Sequence, residues 1–429
     1  MPLRLCCNGY KNCDVVMSKL GFRIPSDWKI YKLSDIAEVQ TGIAKNASNE
    51  FIDPVELPYL RVANVQFGYL DLSQIKTIKI EREKLQKYLL QYGDVLLTEG
   101  GDADKLGRGT IWQGELSECL HQNHVFAVRP NPRKVLSKYL GWLTESTLGR
   151  KYFQLASKQT TNLASINSTQ LKNFVIAIPS IAEQQSIINI ISTLENAIAL
   201  TEKLITAKRR LKQGLMQKLL TGKIRFPEFK NDLWHMQMLS KACQINIGGT
   251  PSRQEPNYWA NSSKDGFPWV SIRDMSGRFI ARTKEYITAE GIRKSNTKSV
   301  PKGTTLMSFK LTIGRVAQAG CELYTNEAIA AFFPKDNLVD QDYLYAALPL
   351  AVKRVDTDQA VKGITLNKRK LETLLLPILS IREQKKIAQV DKLLDQEISL
   401  LEKQLHSLKT QKQGLMQQLL TGKIRVQTP

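Results

Sequence analysis

The sequence predicts an α+β fold that is built twice, from two strand-rich domains that alternate with two long helices. Three observations predict it. A segment of fourteen residues occurs twice with one difference between the copies. A stripe of apolar residues with helical spacing precedes each copy. Short runs that alternate apolar and polar residues fill the stretches between the stripes, as expected for strands.

The repeated segment shows that the chain is an internal duplication. Residues 212–225 read KQGLMQKLLTGKIR and residues 412–425 read KQGLMQQLLTGKIR. The same offset of 200 residues aligns Glu183 with Glu383 further back. A second offset of 206 residues aligns Trp28 with Trp234 near the start of each half. The duplication therefore covers nearly the whole chain.

Each long helix carries its own start and stop signals. Ser180 followed by Glu183 has the spacing of a capping box, and the second copy repeats the pair at 380 and 383. Gly222 and Gly422 follow the last apolar pairs, where a residue with positive φ ends a helix. These signals predict two helices of roughly 42 residues, each about 60 Å long.

The apolar stripes predict that the two long helices pair with each other as an antiparallel coiled coil, because a lone helix cannot bury such a stripe. Gly214 and Gly414 lie inside these helices and predict either the close approach of another backbone or a tolerated glycine inherited with the duplication. The predicted packing residues are Ile187, Ile191, Leu194, Ile198, Leu215, Leu219, Ile387, Leu394, Ile398, Leu401, Leu405, Leu415 and Leu419.

The two stretches outside the long helices are predicted to be separate α+β domains. Strands are expected at Tyr59–Val65, Asp94–Thr98, Val125–Val128, Trp269–Ile272 and Thr305–Phe309, and shorter helices at Ser137–Leu148 and Gln341–Val352. The predicted boundaries are an N-terminal extension (1–20, with Met1 or Met17 as the start), domain 1 (21–179), helix 1 (180–225), domain 2 (226–379), and helix 2 with a short tail (380–429).

Charge and cysteine content narrow the class of protein. Lys and Arg exceed Asp and Glu by 61 − 40 = 21, and this excess favours a polyanionic partner such as nucleic acid. The six cysteines lack the CxxC spacing of a zinc site and the density of a secreted disulfide scaffold. The sequence has no run of about 18 apolar residues and no signal-like N-terminus, so we expect a soluble, cytoplasmic protein.

Glycine-bearing loops between the expected strands carry side chains that suit DNA. Arginine and lysine can pair with guanine edges, and asparagine and glutamine with adenine. For each loop residue, the alternative is a turn selected for its backbone geometry. The candidate DNA-binding residues are Arg61, Asn64, Lys105, Arg108, Asn123, Gln159, Asn162, Gly249, Thr250, Ser252, Arg253, Arg273, Lys310, Arg315, Asn326, Lys362 and Asn367.

Some of these loop residues recur in both halves. Gly107 and Arg108 have counterparts in Gly314 and Arg315, and Asn123 is matched with Asn326. Because Arg108 and Arg315 hold comparable places in different sequence surroundings, each is a candidate contact in its own half.

Signatures of catalysis are missing from the sequence. The Gly222–Ile224 segment resembles the end of a phosphate-binding loop but lacks the earlier glycine and the following Ser or Thr. Cys119, His121 and His124 are not repeated as ligands in the second half, which disfavours a metal site. There is no repeated Ser, His and Asp set, no GxGxxG fingerprint, and no Asn-Pro-Pro-aromatic or Asp-Pro-Pro-aromatic tetrapeptide. The sequence therefore indicates a DNA reader with no cofactor and no metal.

At this point residues 20–425 resemble the specificity subunit of type I restriction-modification systems. The resemblance rests on the combination of several strings and of the duplicated arrangement; the extra N-terminal stretch departs from the family pattern. The strings are IPSDWKIYKLSDIAEVQTG (24–42), HQNHVFAVRP (121–130), MSFKLTIGRVA (307–317), TNEAIAAF (325–332), and the IAEQ and IREQ helix starts at 181 and 381.

The resemblance implies that each domain is a target-recognition domain that binds one half of a split, asymmetric site in double-stranded DNA. It also implies that the helix pair sets the spacing and docks two methyltransferase subunits, which restriction motor-nuclease subunits then join. S-adenosylmethionine, ATP and Mg²⁺ would belong to those partners. The alternatives are the specificity partner of a fused restriction-methylation enzyme, an enzyme in its own right, and a coiled-coil adaptor that does not bind DNA.

Overall fold

The computed structural model describes residues 24–44, 51–101, 106–159, 164–336, 338–356 and 366–427. Its mixture of sheets and helices confirms the predicted α+β class. The described chain divides into two compact units. Unit 1 contains the residues up to Leu200 together with those from Leu405, and unit 2 contains Thr201–Gln404. The predicted extension (1–20) lies outside the described residues, among which no helix is both long and apolar enough to cross a membrane.

Unit 1 is built around the antiparallel sheet β2-β9-β5-β7, with smaller sheets β4-β3-β8, β10-β11-β6 and β1-β12. Its elements are β1 (Lys29–Lys32), α1 (Leu33–Ile36), β2 (Ala37–Thr41), β3 (Pro54–Leu60), β4 (Lys76–Glu81), a 3₁₀ turn (Arg82–Lys84), α2 (Leu85–Tyr88), β5 (Val95–Thr98), β6 (Gly100–Gly101), β7 (Gly109–Ile111), β8 (Leu120–His121), β9 (Val125–Pro130), α3 (Ser137–Glu145), α4 (Thr147–Ala156), β10 (Lys158–Gln159), β11 (Ala164–Ser165), α5 (Ser168–Lys172), β12 (Val175–Ile178) and the start of the first long helix, α6 (Ile181–Leu219).

Unit 2 repeats this plan around the sheet β14-β23-β20-β21-β17, beside a second sheet β15-β18-β16-β22-β19 and the pair β13-β24. Its elements are β13 (His235–Met238), α7 (Leu239–Ala242), β14 (Cys243–Ile247), β15 (Trp259–Ala260), β16 (Phe267–Val270), β17 (Phe279–Ile280), β18 (Glu285–Ile287), α8 (Ala289–Arg293), β19 (Ser299–Val300), β20 (Thr305–Ser308), β21 (Val316–Ala319), β22 (Leu323–Thr325), β23 (Ile329–Pro334), α9 (Gln341–Asp356), α10 (Lys368–Glu372), β24 (Leu375–Ile378), the second long helix α11 (Ile381–Leu419), and 3₁₀ turns at Pro227–Phe229, Pro256–Tyr258 and Ile272–Asp274.

Several predicted element boundaries were wrong. The strand expected at Tyr59–Val65 ends at Leu60, because the chain turns there around a side-chain cap. The strand expected to reach Ile272 ends at Val270, before a turn that Asp274 caps, and the strand expected to reach Phe309 ends at Ser308. The helix expected at Ser137–Leu148 is two helices, because Ser146 leaves the helical conformation and its hydroxyl accepts a hydrogen bond from Gly149 N to start α4.

The long helices have the predicted position, each with 39 residues and therefore about 58 Å of length. Gly222 and Gly422 lie just beyond their last turns with φ of +71° and +70°, as predicted. At the start of α6, Ser180 Oγ accepts a hydrogen bond from Glu183 N (3.3 Å). The Glu183 carboxylate, however, binds the Arg425 guanidinium and does not complete a capping box.

In each unit the start of one long helix packs with the end of the other, which is the predicted antiparallel pairing. In unit 1, Ile187 and Ile191 share a core with Leu419, Leu420 and the buried residues of the main sheet, such as Phe126 and Val128. In unit 2, Leu219 and Leu220 share a core with Ile387. All thirteen predicted packing residues are buried or half-buried.

Ion pairs join the two helices at equivalent places. In unit 1, Lys412 Nζ lies 2.8 Å from a Glu195 carboxylate oxygen. In unit 2, Lys212 binds Asp395 and lies 3.0 Å from Asp391. The lysine of the repeated KQGLMQ segment therefore holds the partner helix in both units.

Of the two explanations for the internal glycines, the structure supports the tolerated glycine. A Cβ added at Gly214 or Gly414 would meet none of the described atoms within 4 Å. At Gly222, in contrast, an added Cβ would lie 2.7 Å from the Trp234 ring, and φ is positive. Glycine is thus required beyond the helix end but not within the helix.

We predict that Gly214→Ala keeps or raises thermal stability, by up to about 1 kcal/mol, because alanine is the better helix former. Gly222→Ala should lower it by at least about 1 kcal/mol, because a left-handed backbone disfavours a side chain and the new methyl group meets Trp234. The measurement is the melting temperature of each variant beside the parent chain. A Gly214→Ala variant as unstable as Gly222→Ala would contradict the open space around Gly214.

Candidate nucleic-acid interface

Four strand ends meet at one edge of the main sheet in each unit. Neighbouring strands of an antiparallel sheet run in opposite directions, so the end of one strand lies beside the start of the next. In unit 1, the ends of β2 and β5 therefore lie beside the starts of β9 and β7. In unit 2, the ends of β14 and β20 lie beside the starts of β23 and β21.

Backbone hydrogen bonds fasten the loops to each other in the same way in both units. In unit 1, Ile43 N donates to His121 O (2.8 Å) and Gln122 N donates to Leu60 O (2.8 Å). In unit 2, Gly249 N donates to Thr325 O (2.8 Å) and Asn326 N donates to Val270 O (3.0 Å). These two bonds correspond to the two bonds of unit 1. These bonds define one shared loop edge.

The equivalence of these bonds corrects one predicted match between the halves. Gln122, and not Asn123, occupies the place of Asn326, since their amides make the corresponding bonds. His121 then corresponds to Thr325. The sequence strings HQNHVFAVRP and TNEAIAAFFP align without a gap in this register. The sequence alone could therefore have paired Gln122 with Asn326, but the identity of Asn123 and Asn326 suggested the other match.

Two loops approach each other so closely that glycine is required directly after β2 in unit 1 and directly after β14 in unit 2. A Cβ added at Gly42 would lie 2.0 Å from His121 O, and one added at Gly248 would lie 2.1 Å from Thr325 O. No side chain fits at such distances. The backbone contact that fastens the first loop to the last therefore depends on these two glycines.

A side chain caps the turn after β3 in unit 1 and the turn after β16 in unit 2. Asn64 Oδ1 accepts a hydrogen bond from Arg61 N, and Asp274 Oδ2 accepts one from Ser271 N, both at 2.9 Å. Asn64 is 3% exposed, and its amide group donates to two backbone carbonyls of residues 71 and 74. Asn64, predicted as a DNA contact, thus shapes the turn from within.

Arg108 and Arg315 make the same contact in the two units. Arg108 donates to Val62 O (2.8 Å) and to Gln66 Oε1 (3.1 Å), and Arg315 donates to Ile272 O (3.4 Å). Val62 and Ile272 lie at equivalent places in the capped turns. The two arginines therefore brace these turns; Arg108 is half-buried and Arg315 is exposed.

Two predicted arginines in unit 2 share one carboxylate. Arg253 and Arg273 both form ion pairs with Glu285, and Arg253 also stacks 3.7 Å from the centre of the Trp259 ring. The hydrogen bond from Arg253 lowers the pKa of Glu285 below its usual value, with a further contribution from the charge of Arg273. The guanidinium of Arg253 is consequently held over the ring by its ion pair with Glu285.

A second carboxylate connects the first and last loops of unit 2. The Thr250 hydroxyl donates to Glu327, and this hydrogen bond lowers the pKa of Glu327, helped by the nearby charges of Lys310 and Arg253. Glu327 therefore draws the GGTPSR loop, the loop after β20 and the loop before β23 into one cluster of charged and polar groups.

The corresponding region of unit 1 contains histidines. His124 Nδ1 lies 2.5 Å from Glu99 Oε2. His121 is buried, its Nδ1 is hydrogen-bonded to Val125 O, and burial lowers its pKa. Burial raises the pKa of Cys119 to about 12. Among the described residues, no group of three or more His, Cys, Asp and Glu side chains is placed to hold a metal ion.

Several other predicted residues have structural partners. Ser252 Oγ accepts a hydrogen bond from Gln254 N, and Asn326 Oδ1 accepts one from Ala328 N. Asn367 Oδ1 caps α10 by accepting from Lys370 N (2.9 Å). Asn123 lies at the loop edge with its amide 3.4 Å from His124 Nε2.

The 159–162 turn was predicted as a DNA contact on the sequence alone. The backbone of Gln159 in β10 belongs to the small sheet that reaches Gly100 and Gly101 beside the edge. Lys105, Asn162 and Lys362 lie outside the described residues.

Comparison with known proteins is consistent with this doubled plan. The family model for the type I restriction modification DNA specificity domain matches the chain twice, over residues 25–207 and 231–410. The chain is 27% identical over 434 residues to a Methanocaldococcus jannaschii protein named as the MjaX specificity subunit of a type I restriction enzyme, and the alignment covers 98% of each chain.

Two solved structures share the fold. One comes from a study of complex assembly and conformational transition of the type I R-M system; its TM-score is 0.62 at 16% identity, covering 94% of this chain and 100% of that chain. The other is the type I restriction-modification S subunit from M. genitalium, with a TM-score of 0.53 at 15% identity, covering 92% and 96%.

The fold and its loop edges define a doubled protein with two similar recognition domains and a shared helix pair. The chain belongs to the family of type I restriction-modification DNA specificity domains, because the family model covers most of its length in two copies.

We predict that Arg108→Ala loosens the turn at residues 61–74 of unit 1, because the loss of hydrogen bonds from a charged donor costs about 1.5–3 kcal/mol. Arg315→Ala should loosen its own turn less, since its single bond is longer and exposed. Hydrogen–deuterium exchange at the backbone amides of each turn measures the change. Unchanged exchange in Arg108→Ala would show that this arginine does not brace the turn.

Proposed function

We propose that this chain is the DNA sequence-specificity subunit of a type I restriction-modification complex, with each recognition domain binding one half of a bipartite, asymmetric site. The repeated loop edge is the observation that carries the proposal. The edge has the same backbone frame in both units but different side chains, as expected of two readers for two different base sequences. Family membership supports the assignment.

The chemistry of the edge suits duplex DNA. The chain has a net charge of +21, and phosphate contacts by Lys and Arg supply most of the sequence-independent affinity of DNA-binding proteins. Base edges are read by hydrogen bonds and apolar contacts in the grooves. Exposed or half-exposed edge residues that offer such groups are Gln122, Asn123, Asn326, Lys310 and Arg315.

The proposal assigns the chemistry of restriction and modification to partner subunits. Two methyltransferase subunits would bring S-adenosylmethionine, and motor-nuclease subunits would bring ATP and Mg²⁺. Three acidic side chains and one histidine of this region make internal contacts: Glu285 binds arginine side chains, Glu327 binds Thr250, and His124 binds Glu99. The chain would then act by recognition alone.

Sequencing the modified bases of a host with and without this gene tests the proposal directly. We predict a gene-dependent methylated motif made of two short specific parts separated by a fixed gap of unspecified bases. A single uninterrupted motif, or a methylation pattern that does not depend on the gene, would refute it. Co-purification with two separate kinds of subunit, and not with one fused chain, distinguishes the complex from a fused restriction-methylation enzyme.

The helix pair is proposed to set the gap. Inserting seven residues after Leu200 and seven after Gln404 lengthens both helices by about 10.5 Å and leaves the contacts within each unit unchanged. The gap should then grow by about three base pairs, at about 3.4 Å per pair, with both specific parts unaltered. Methylated sites with the original gap would show that the helices do not control it.

The helix pair also has the properties of a docking surface for the methyltransferase subunits. On α6, Leu204 and Leu211 are exposed and seven residues apart, hence on one face; on α11, Leu393 and Leu400 repeat that spacing. Unit 2 also has a cavity of about 1370 Å³ along these helices, lined by Met216 and other residues of both. Exposed apolar stripes of this kind mark protein interfaces.

We predict that Leu211→Gln combined with Leu400→Gln reduces the amount of methyltransferase subunit that co-purifies with the chain, because both changes put polar groups in an apolar contact. Leu155→Gln, an equally exposed leucine on α4 of unit 1, is the matched control and should retain the partner. Circular dichroism should be the same for all variants. Full retention of the partner by the double variant would place the docking surface elsewhere.

A further inference from the structure

The loop between β20 and β21 of unit 2 presents a single exposed leucine in an unusual backbone conformation. Leu311 is 94% exposed. Its φ is +62°, in the left-handed region that costs an L-residue about 1–2 kcal/mol. Glycine or asparagine would occupy this position more easily. An exposed apolar side chain at a strained position, at a site proposed to bind a ligand, points to a function for that side chain.

Hydrogen bonds within the loop hold Leu311 outward. Ser308 N donates to Arg315 O and Gly314 N donates to Ser308 O, both at 2.9 Å, and the Ser308 hydroxyl donates to Thr312 O. These bonds close the loop at its base, so that its tip has a defined conformation.

Apolar anchors on both sides of the tip fix its direction. Phe309 is 1% exposed in the core of unit 2, and Ile313 packs against the same core. With residues 309 and 313 directed inward, Leu311 and Thr312 between them are exposed, while Lys310 lies over the Phe309 ring. Leu311 is thus displayed at the tip of a loop whose two ends are anchored in the domain.

The charged residues around the loop tip indicate which kind of ligand the tip contacts. Lys310 precedes Leu311 and Arg315 follows the loop, and the charge of Lys310 acts on Glu327, which also binds Thr250. The tip projects from the loop edge that is proposed to face DNA. An apolar group between cations suits a duplex groove, where phosphates flank base edges.

We propose that Leu311 enters the major groove of the half-site read by unit 2 and makes an apolar contact with a thymine 5-methyl group. This inference rests on the proposed DNA-recognition function. The thymine methyl is the apolar group that the major groove displays, and apolar side chains read it by contact. A loop whose backbone is hydrogen-bonded before binding loses little backbone conformational entropy when Leu311 makes that contact.

The test uses the complete methyltransferase complex and a duplex that contains its methylated target, with Leu311→Gly and Leu311→Met variants. Leu311→Gly removes the side chain and relieves the left-handed backbone, so its melting temperature should equal or exceed that of the parent. Its affinity for the target should fall about tenfold, a typical loss for one base contact. Leu311→Met, which keeps an apolar side chain, should bind nearly as the parent does.

Replacing thymine by deoxyuridine, one position at a time in the second half-site, identifies the contact. At one position the replacement should weaken the parent complex about as much as Leu311→Gly does, and it should have no further effect on Leu311→Gly. Leu233→Gly, an exposed leucine outside the loop edge, should bind as the parent does.

Equal binding by Leu311→Gly and the parent overturns the inference, as does an equal loss on scrambled DNA or a deoxyuridine effect that adds fully to the variant. A parent complex that does not distinguish target from scrambled DNA would instead refute the proposed function, so the two failures are separable.

Discussion

The pairing of a buried glutamate with an arginine beyond the end of the opposite long helix is the constraint on which each unit depends. Glu183 and Glu383 begin the helices, and their side chains are 5% and 1% exposed. A buried carboxylate must be paired, because breaking such a pair leaves an uncompensated charge in the interior. Arg425 and Arg225 supply two hydrogen bonds each. These arginines end the repeated TGKIR strings, which explains why the strings stayed alike while the recognition domains diverged. The glycine of the same string turns the chain so that the arginine can reach back.

A tryptophan ring lies beside this ion pair in both units, although it comes from a different part of the chain in each. In unit 2, Arg225 lies over the ring of Trp234, which follows it closely in sequence, and Gly222 packs against that ring. In unit 1, Arg425 lies over Trp28, from the other end of the described chain, and Gly422 packs against Trp28 and Pro25. The same packing of arginine and glycine against a tryptophan ring is therefore formed by residues close in sequence in unit 2 and by residues far apart in sequence in unit 1. This indicates that the packing does not depend on how the chain connects the residues.

The sequence predicted the elements whose signals are local, and it failed where distant residues decide. The long helices have local caps and glycine stops, so their position and pairing were predictable. Their closing ion pairs join residues 158 and 242 positions apart, and nothing near Glu383 or Glu183 in the sequence announces the partner. Strand ends were misplaced because a side-chain cap, such as that of Asn64, appears in sequence only as a polar residue. Among the site residues, Arg253 and Arg273 have no acidic partner close in sequence. In the structure both bind Glu285, which lies 32 and 12 residues away.

The way the loop edge is held explains how two recognition domains can share a frame and still differ in chemistry. The bonds that fasten the loops join backbone amides to backbone carbonyls, as from Ile43 N to His121 O and from Gly249 N to Thr325 O. Such bonds do not depend on which side chain the residue carries, so the same bond forms at His121 in unit 1 and at Thr325 in unit 2. Only the glycines at close approaches and the side chains that cap or brace the turns are constrained. The remaining positions can vary at little cost in stability. A recognition domain whose exposed side chains vary on a fixed backbone can therefore bind a new target sequence without a change of fold.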